Sequence, residues 1–173
     1  ERRRMALRKV ARLQTETTAV FVCDVQERFR SIIHKMGSVV QIASLAARSA
    51  QILEMPLVVS EHYTKAFGKT VSEIDLTGSY SKLFLFEKTK FSMVTDELVT
   101  ALEQEHLRNT KSVILTGLEA HVCVQQTALD LLDRGYDVHL LADGTSSQNT
   151  YDRDIAFERL RQSGVSITTF ESA

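Results

Sequence analysis

The twelve residues SVILTGLEAHVC (112–123) decide how this chain is read. The stretch Ser112-Val113-Ile114-Leu115 is rich in apolar β-formers and stops at Gly117, and behind Cys123 the pattern turns helical. A short strand apolar on both faces, followed by a glycine turn and a helix, is how a buried parallel strand feeds its crossover. The spacing predicts a strand over 111–116 and a helix from Cys123 to Leu132, closed by Arg134-Gly135.

The same unit recurs on either side. Upstream, 18–24 (TAVFVCD), 56–60 (PLVVS) and 82–87 (KLFLFE) read as strands; downstream, 137–143 and 165–169 do. Helices alternate with them: one capped by Ser38 and carrying Val39, Ile42, Leu45 and Ala46, one opened by Thr95 or Asp96 and reaching Leu107, and one over 151–162. The polar segment 63–82, with Gly68 and Gly78, reads as an excursion loop. Two-faced apolar strands alternating with helices imply a three-layer α/β/α sandwich. Right-handed crossovers then gather every strand's carboxyl end on one edge, where such sheets bind ligands.

Composition agrees with a single domain. The chain has 173 residues, 43% hydrophobic and 25% charged, with a net charge of −1, which suffices to bury roughly 70% of the unfolded surface. So balanced a charge gives no long-range pull on nucleic acid or acidic membranes, and no apolar run approaches the ~18–20 residues of a span. Cys23 and Cys123 are the only cysteines, too few for a disulfide framework, so reduced thiols are expected. Residues 1–16 form a basic arm ahead of a domain over 17–173. The arm reads as a solvated tail in a cytoplasmic protein, or as the remnant of a mitochondrial presequence.

Asp24, Glu61 with His62, Lys88, the turn into Cys123, and Asp143 leave the strand ends. A carboxylate, a lysine and a thiol on one edge are the parts of a nucleophilic site. Cys123 at a helix start would be favoured as a thiolate, with Lys88 adding positive charge. Asp24 would take the thiol proton and return it to a leaving amine. Each also has an inert reading: Cys123 as a core residue, Asp24 as a helix cap and Lys88 as a surface lysine. A Cys–His pair with His121 or His62 is a further alternative. Cys23 lies inside its strand, pointing away from Asp24, and reads as core.

FVCDVQ (21–26), EKTKFSM (87–93) and TGLEAHVCVQQTALDLLDRGYDV (116–138) resemble the isochorismatase-like cysteine hydrolases, and among them the eukaryotic isochorismatase-domain proteins. The resemblance covers about 17–172 and implies a six-stranded parallel sheet in the order 3-2-1-4-5-6. It also implies a triad of Asp24 (acid/base), Lys88 and Cys123 (nucleophile). Between the two lysines of KTK, the aromatic-Ser pair Phe91-Ser92 selects Lys88. A cis peptide at Leu118–Glu119 and an oxyanion hole from the Glu119 and Cys123 N–H groups follow from the same likeness, as does assembly into a homo-oligomer. Gln26 matches the family's D-x-Q and is expected to order the site or contact a small-molecule substrate, with Phe29, His62 and His121 as further contacts.

Two departures matter. The metal-binding relatives use an Asp and two histidines after the second strand, whereas SEHYTKAFGKT (60–70) has His62 alone. No metal and no organic cofactor are therefore expected. The sequence ends at TTFESA, where relatives continue into another helix. The resulting expectation is a hydrolase of a small amide or related C–N bond through a thioester. A silent binding or scaffold protein of the same fold and a ribonuclease are the alternatives.

Overall fold

The computed structural model describes residues 12–78, 80, 82–104 and 107–173; the basic arm lies mostly outside them. Six strands, β1 (Thr18–Cys23), β2 (Leu57–His62), β3 (Leu83–Lys88), β4 (Ser112–Leu118), β5 (Asp137–Ser146) and β6 (Ser166–Thr168), form one parallel sheet in the order β3-β2-β1-β4-β5-β6. Five helices accompany them: α1 (Met36–Ile52), α2 (Thr64–Phe67), α3 (Asp96–Glu103), α4 (Gln125–Asp133) and α5 (Thr150–Ser163). Among the described residues no helix is long and apolar enough to cross a membrane.

The alternation along β1 divides the core. Val20 and Val22 pack with Val39, Ala43 and Ala47 of α1 on one face. Phe21 and Cys23 pack on the other with Leu98 of α3, Val124 and Ala128 around the start of α4, and Leu160 of α5. Every residue of β1 is buried, as a strand covered on both sides must be. The order reverses between β1 and β4, whose carboxyl ends open the crevice that such a reversal creates.

The strands run past their apolar stretches. Pairing of Glu61 with Glu87 and of His62 with Lys88 keeps polar residues in the ladder that hydrophobicity alone leaves out. Ser38 does not cap α1: the helix begins at Met36, after Lys35 in a left-handed conformation, and the Ser38 hydroxyl donates to the Asp143 carbonyl at 2.9 Å. Thr95 does cap α3, accepting the Leu98 N–H at 3.3 Å, and the helix ends before Leu107. The excursion loop contains α2 and is tied back by Glu61. That carboxylate accepts the Thr70 N–H (2.8 Å) and hydroxyl (2.9 Å) and pairs with Lys69 at 2.9 Å.

Candidate active site

Three strand ends share one local device. After β1, β2 and β4 the next residue, Asp24, Tyr63 or Glu119, takes a positive φ of 55°, 36° or 56°. Each non-glycine residue held there costs about 1–3 kcal/mol, and each turns the chain sharply over the carboxyl edge. At Leu118–Glu119 this replaces the expected cis bond: all peptides among the described residues are trans, and the left-handed Glu119 makes the turn. The segment from Ala120 to Val124 is then a π-helical turn, and α4 begins only at Gln125. Cys123 sits inside that turn rather than at the start of an α-helix.

Asp24 is 2% exposed. Its Oδ1 accepts the Ser60 hydroxyl at 2.7 Å and its Oδ2 accepts the Lys88 ammonium at 2.7 Å. Asp24 is therefore no helix cap, and Lys88 no surface lysine: the Lys88 side chain is fully buried. The ammonium also donates to the carbonyls of Lys90 (3.1 Å) and Phe91 (2.9 Å), so the loop after β3 fixes the lysine. Burial opposes its charge, but the acidic groups around it, Cys23, Asp24 and Cys123, outweigh burial and raise its pKa. Lys90 is exposed and reaches toward Val94 and Asp130.

Cys123 is 8% exposed, and its thiol lies with Asp24 and His62 in a cluster whose ligand atoms are all within 4.8 Å of one another. Its electrostatics reverse the expectation of a resting thiolate. Burial first, then the Asp24 charge, push the thiol up to about 12 from an ordinary 9.0, more than Lys88 pulls it down. A neighbouring Thr127 hydroxyl donates to the Cys123 carbonyl at 2.7 Å and accepts the Met93 N–H at 2.9 Å. This ties the cysteine turn to the Phe91-Ser92-Met93 loop. Cys23, fully buried below, has its thiol raised well above the ordinary value, chiefly by burial.

Asp24, His62 and Cys123 offer ligand types suited to a transition metal, but a cation already stands between two of them. The Lys88 ammonium is 2.7 Å from Asp24 and 3.3 Å from His62 Nδ1. A metal bound to that pair would have to displace a buried lysine, so the set does not fit a metal centre. An ammonium only donates, so Nδ1 accepts and the neutral ring carries its proton on Nε2. Burial first, and Lys88 second, hold the His62 pKa below its usual value. A Cys–His62 pair would lack a free ring acceptor at Nδ1. His121 lies outside that cluster, with Nδ1 3.1 Å from the Ser147 hydroxyl.

Above the thiol opens a cleft of about 360 Å3. Phe29, Phe67, Phe91, His62 and Val122 line one part, with Phe29 and Phe67 stacked at 4.9 Å. Glu119, His121, Gln148, Asn149 and Asp152 line the rest. Of the expected substrate contacts, Phe29, His62 and His121 lie on this cleft, and Gln26 does not. Gln26 is wholly buried, and its amide is spent on the backbone: it donates to the carbonyls of His62 (3.0 Å) and Gly68 (2.7 Å) and accepts the His62 N–H (2.7 Å). It holds the loop that carries His62. Asp143 is likewise elsewhere, its carboxylate accepting the Phe170 N–H.

The sequence reading missed Ser60, the hydroxyl that orients Asp24, although a polar residue ending the apolar run PLVVS was a legible sign of a buried partner. It also missed the α5-side wall of Gln148, Asn149 and Asp152, which no motif marks.

The chain matches the Isochorismatase domain over residues 18–172. It is 48% identical over 168 residues to isochorismatase domain-containing protein 1 of Danio rerio, covering 97% of this chain and 58% of that protein. It is 42% identical to isochorismatase family protein 1B of Dictyostelium discoideum, covering 96% and 81%. A solved structure named MAR1 ribonuclease, from Caenorhabditis elegans, matches with a TM-score of 0.87 at 39% identity, over 94% of this chain and 81% of that one. The chain spans a little over half the length of isochorismatase domain-containing protein 1 of Danio rerio and of Salmo salar, 58% and 53%. The sheet order and these matches agree, and the chain belongs to the isochorismatase-domain family.

Proposed function

We propose that the chain is a cysteine-dependent hydrolase of small amides or related C–N bonds, acting through a thioester. The observation that carries this reading is the buried Lys88–Asp24 pair beside Cys123 at the floor of the cleft. The buried ammonium fixes Asp24 Oδ2 at 2.7 Å, beside the thiol from which it would take a proton. The thiol rests protonated, so its activation is coupled to attack. Asp24 accepts the proton as Sγ bonds to the carbonyl carbon, and the oxygen takes up the electron pair. The backbone N–H groups of Glu119 and Cys123 are the proposed oxyanion donors. Collapse of this intermediate breaks the C–N bond, and the amine leaves with the proton from Asp24. Water then gives a proton to Asp24 and attacks the thioester, releasing the acid and returning the proton to sulfur.

The test is a panel of small uncharged amides, with amine release and the mass of the Cys123 peptide as readouts. An acyl adduct on Cys123 is expected, and removal of the base in Asp24→Asn should lower kcat by about 10²–10⁴. Turnover that persists in Cys123→Ser would end the thioester mechanism. The absence of an adduct with every amide would leave a binding protein as the better reading. Ribonuclease activity, the name of the Caenorhabditis elegans structure, finds less support, because the cleft wall presents Glu119 and Asp152 to a phosphodiester. Assembly into a homo-oligomer belongs to the same proposal: Tyr151 and Ile155 stand exposed one turn apart on α5, beside the cleft residue Asp152.

A further inference from the structure

The geometry of the polar wall points to a substrate that brings hydrogen-bond donors or a positive charge on a flat apolar body, and not to an anion. This rests on the hydrolase reading above and names its substrate class. Glu119 is the residue on which it turns. Its Oε1 accepts the Gln148 amide at 3.0 Å, while its Oε2 is buried and has no hydrogen-bond partner among the described residues. His121 Nδ1 stands 3.5 Å from that oxygen but is engaged by the Ser147 hydroxyl. The carboxylate thus sets negative charge on this wall of the cleft, which favours a donor or a cation beside it over an anion.

The surrounding charge agrees. Asp152 lies on the same wall, with its Oδ2 3.9 Å from His121 Nε2, and accepts the Asn149 amide at 3.1 Å. Among the described residues the lining includes two carboxylates and neither lysine nor arginine. The Lys88 charge beneath is already matched by Asp24. An anionic ligand would thus meet two carboxylates with no counter-charge beyond His121, whereas an ammonium, amidinium or primary amide finds acceptors.

On the opposite wall Phe29 and Phe67 stack at 4.9 Å, and Phe91 lies 6.0 Å from His62. These ring faces accept a flat group and favour a cation over it. A cleft of about 360 Å3 holds roughly one ring with its substituents. The reaction exploits the same asymmetry. Hydrolysis replaces an amide N–H donor by a carboxylate beside Glu119, so the product is repelled from the wall that held the substrate.

Three probes of one shape test this on Cys123→Ser protein, in which binding is separated from turnover: benzamidine (cation), benzamide (neutral) and benzoate (anion). Affinities come from NMR titration. Benzamidine is expected to bind at least about tenfold more tightly than benzoate, with benzamide between them, and Glu119→Gln should shrink that gap by about tenfold. Asp152→Asn, a change at a more exposed position, repeats the test without touching the cysteine turn. Benzoate binding as well as benzamidine, an order unchanged in both variants, or no measurable binding of any probe at millimolar concentration overturns the inference. The hydrolase reading fails separately, if the wild-type chain forms no acyl adduct with any amide while the probe order holds.

Discussion

At Cys123, burial and the Asp24 carboxylate act on the thiol in the same direction, and together they exceed the pull of Lys88. On the proposed mechanism the attacking side chain therefore waits as a thiol, and Asp24, which with burial raises its pKa, is also the group proposed to remove its proton. This gives a prediction in which reactivity and turnover part company. Iodoacetamide should alkylate Cys123 at pH 7.5 at least about tenfold more slowly than a free thiol, and the rate should keep rising through pH 10 without a plateau. Asp24→Asn removes the neighbouring charge, so alkylation at pH 8 should speed up several-fold while hydrolysis is lost. Peptide mass mapping with Cys23 as the internal reference checks both. A plateau below pH 8 in the unmodified chain would mean that Lys88 controls the thiol after all.

The elements that carry the site meet at Gly117. A Cβ there would lie 2.3 Å from the Cys23 carbonyl oxygen and 2.6 Å from the Cys23 Cβ, so β1 and β4 approach as only glycine allows. Gly117→Ala must push the strands apart just below Asp24 and the cysteine turn, and should cost at least about 2 kcal/mol. Gly37→Ala, in the first turn of α1 with nothing within 4 Å of the added atom, should instead stabilise by about 0.5 kcal/mol. Urea denaturation of the two variants makes the comparison, and equal effects would refute the close-approach argument. The same elements show what was legible. Strands apolar on both faces reveal a parallel sheet in one sequence, because burial on two sides leaves no other pattern. The motifs DVQ, KTKFS and GLEAHVC carried the floor of the site. The π-helical turn at 120–124 was not legible, since an extra residue in one turn leaves the helical period of the following residues intact. For Gln26 the motif left two roles open, because a glutamine that clamps a backbone and one that binds a ligand look alike in a sequence; the hydrogen bonds to His62 and Gly68 give it the first. The polar wall came from α5 and the residues before it, which reach the cleft only through the fold.

For the molecule as a whole, the buried ionisable groups set a two-sided dependence of stability on pH. His62 and His139 have pKa values held below the usual 6.5, chiefly by burial. The unfolded chain therefore binds their protons first, and the stability they contribute is present above pH 6.5 and lost as pH falls below it. Cys23 and Cys123 lie above the ordinary 9.0, and Lys88 above 10.5. Their contribution is complete below about pH 9 and drains away as pH rises toward the folded values. With a net charge of only −1 near neutrality, general self-repulsion is too weak to shape the curve there. The urea midpoint should form a plateau from about pH 7 to 9 and fall on both sides. His62→Asn should flatten the acid limb and Cys123→Ala the alkaline one, each leaving the other limb in place. If the acid limb began only below pH 5, where carboxylates protonate, the histidines would be excluded as its source. His62 would then bind a proton as readily in the fold as in the unfolded chain, and the one-way hydrogen bond from the lysine to its ring would not disfavour the charged ring.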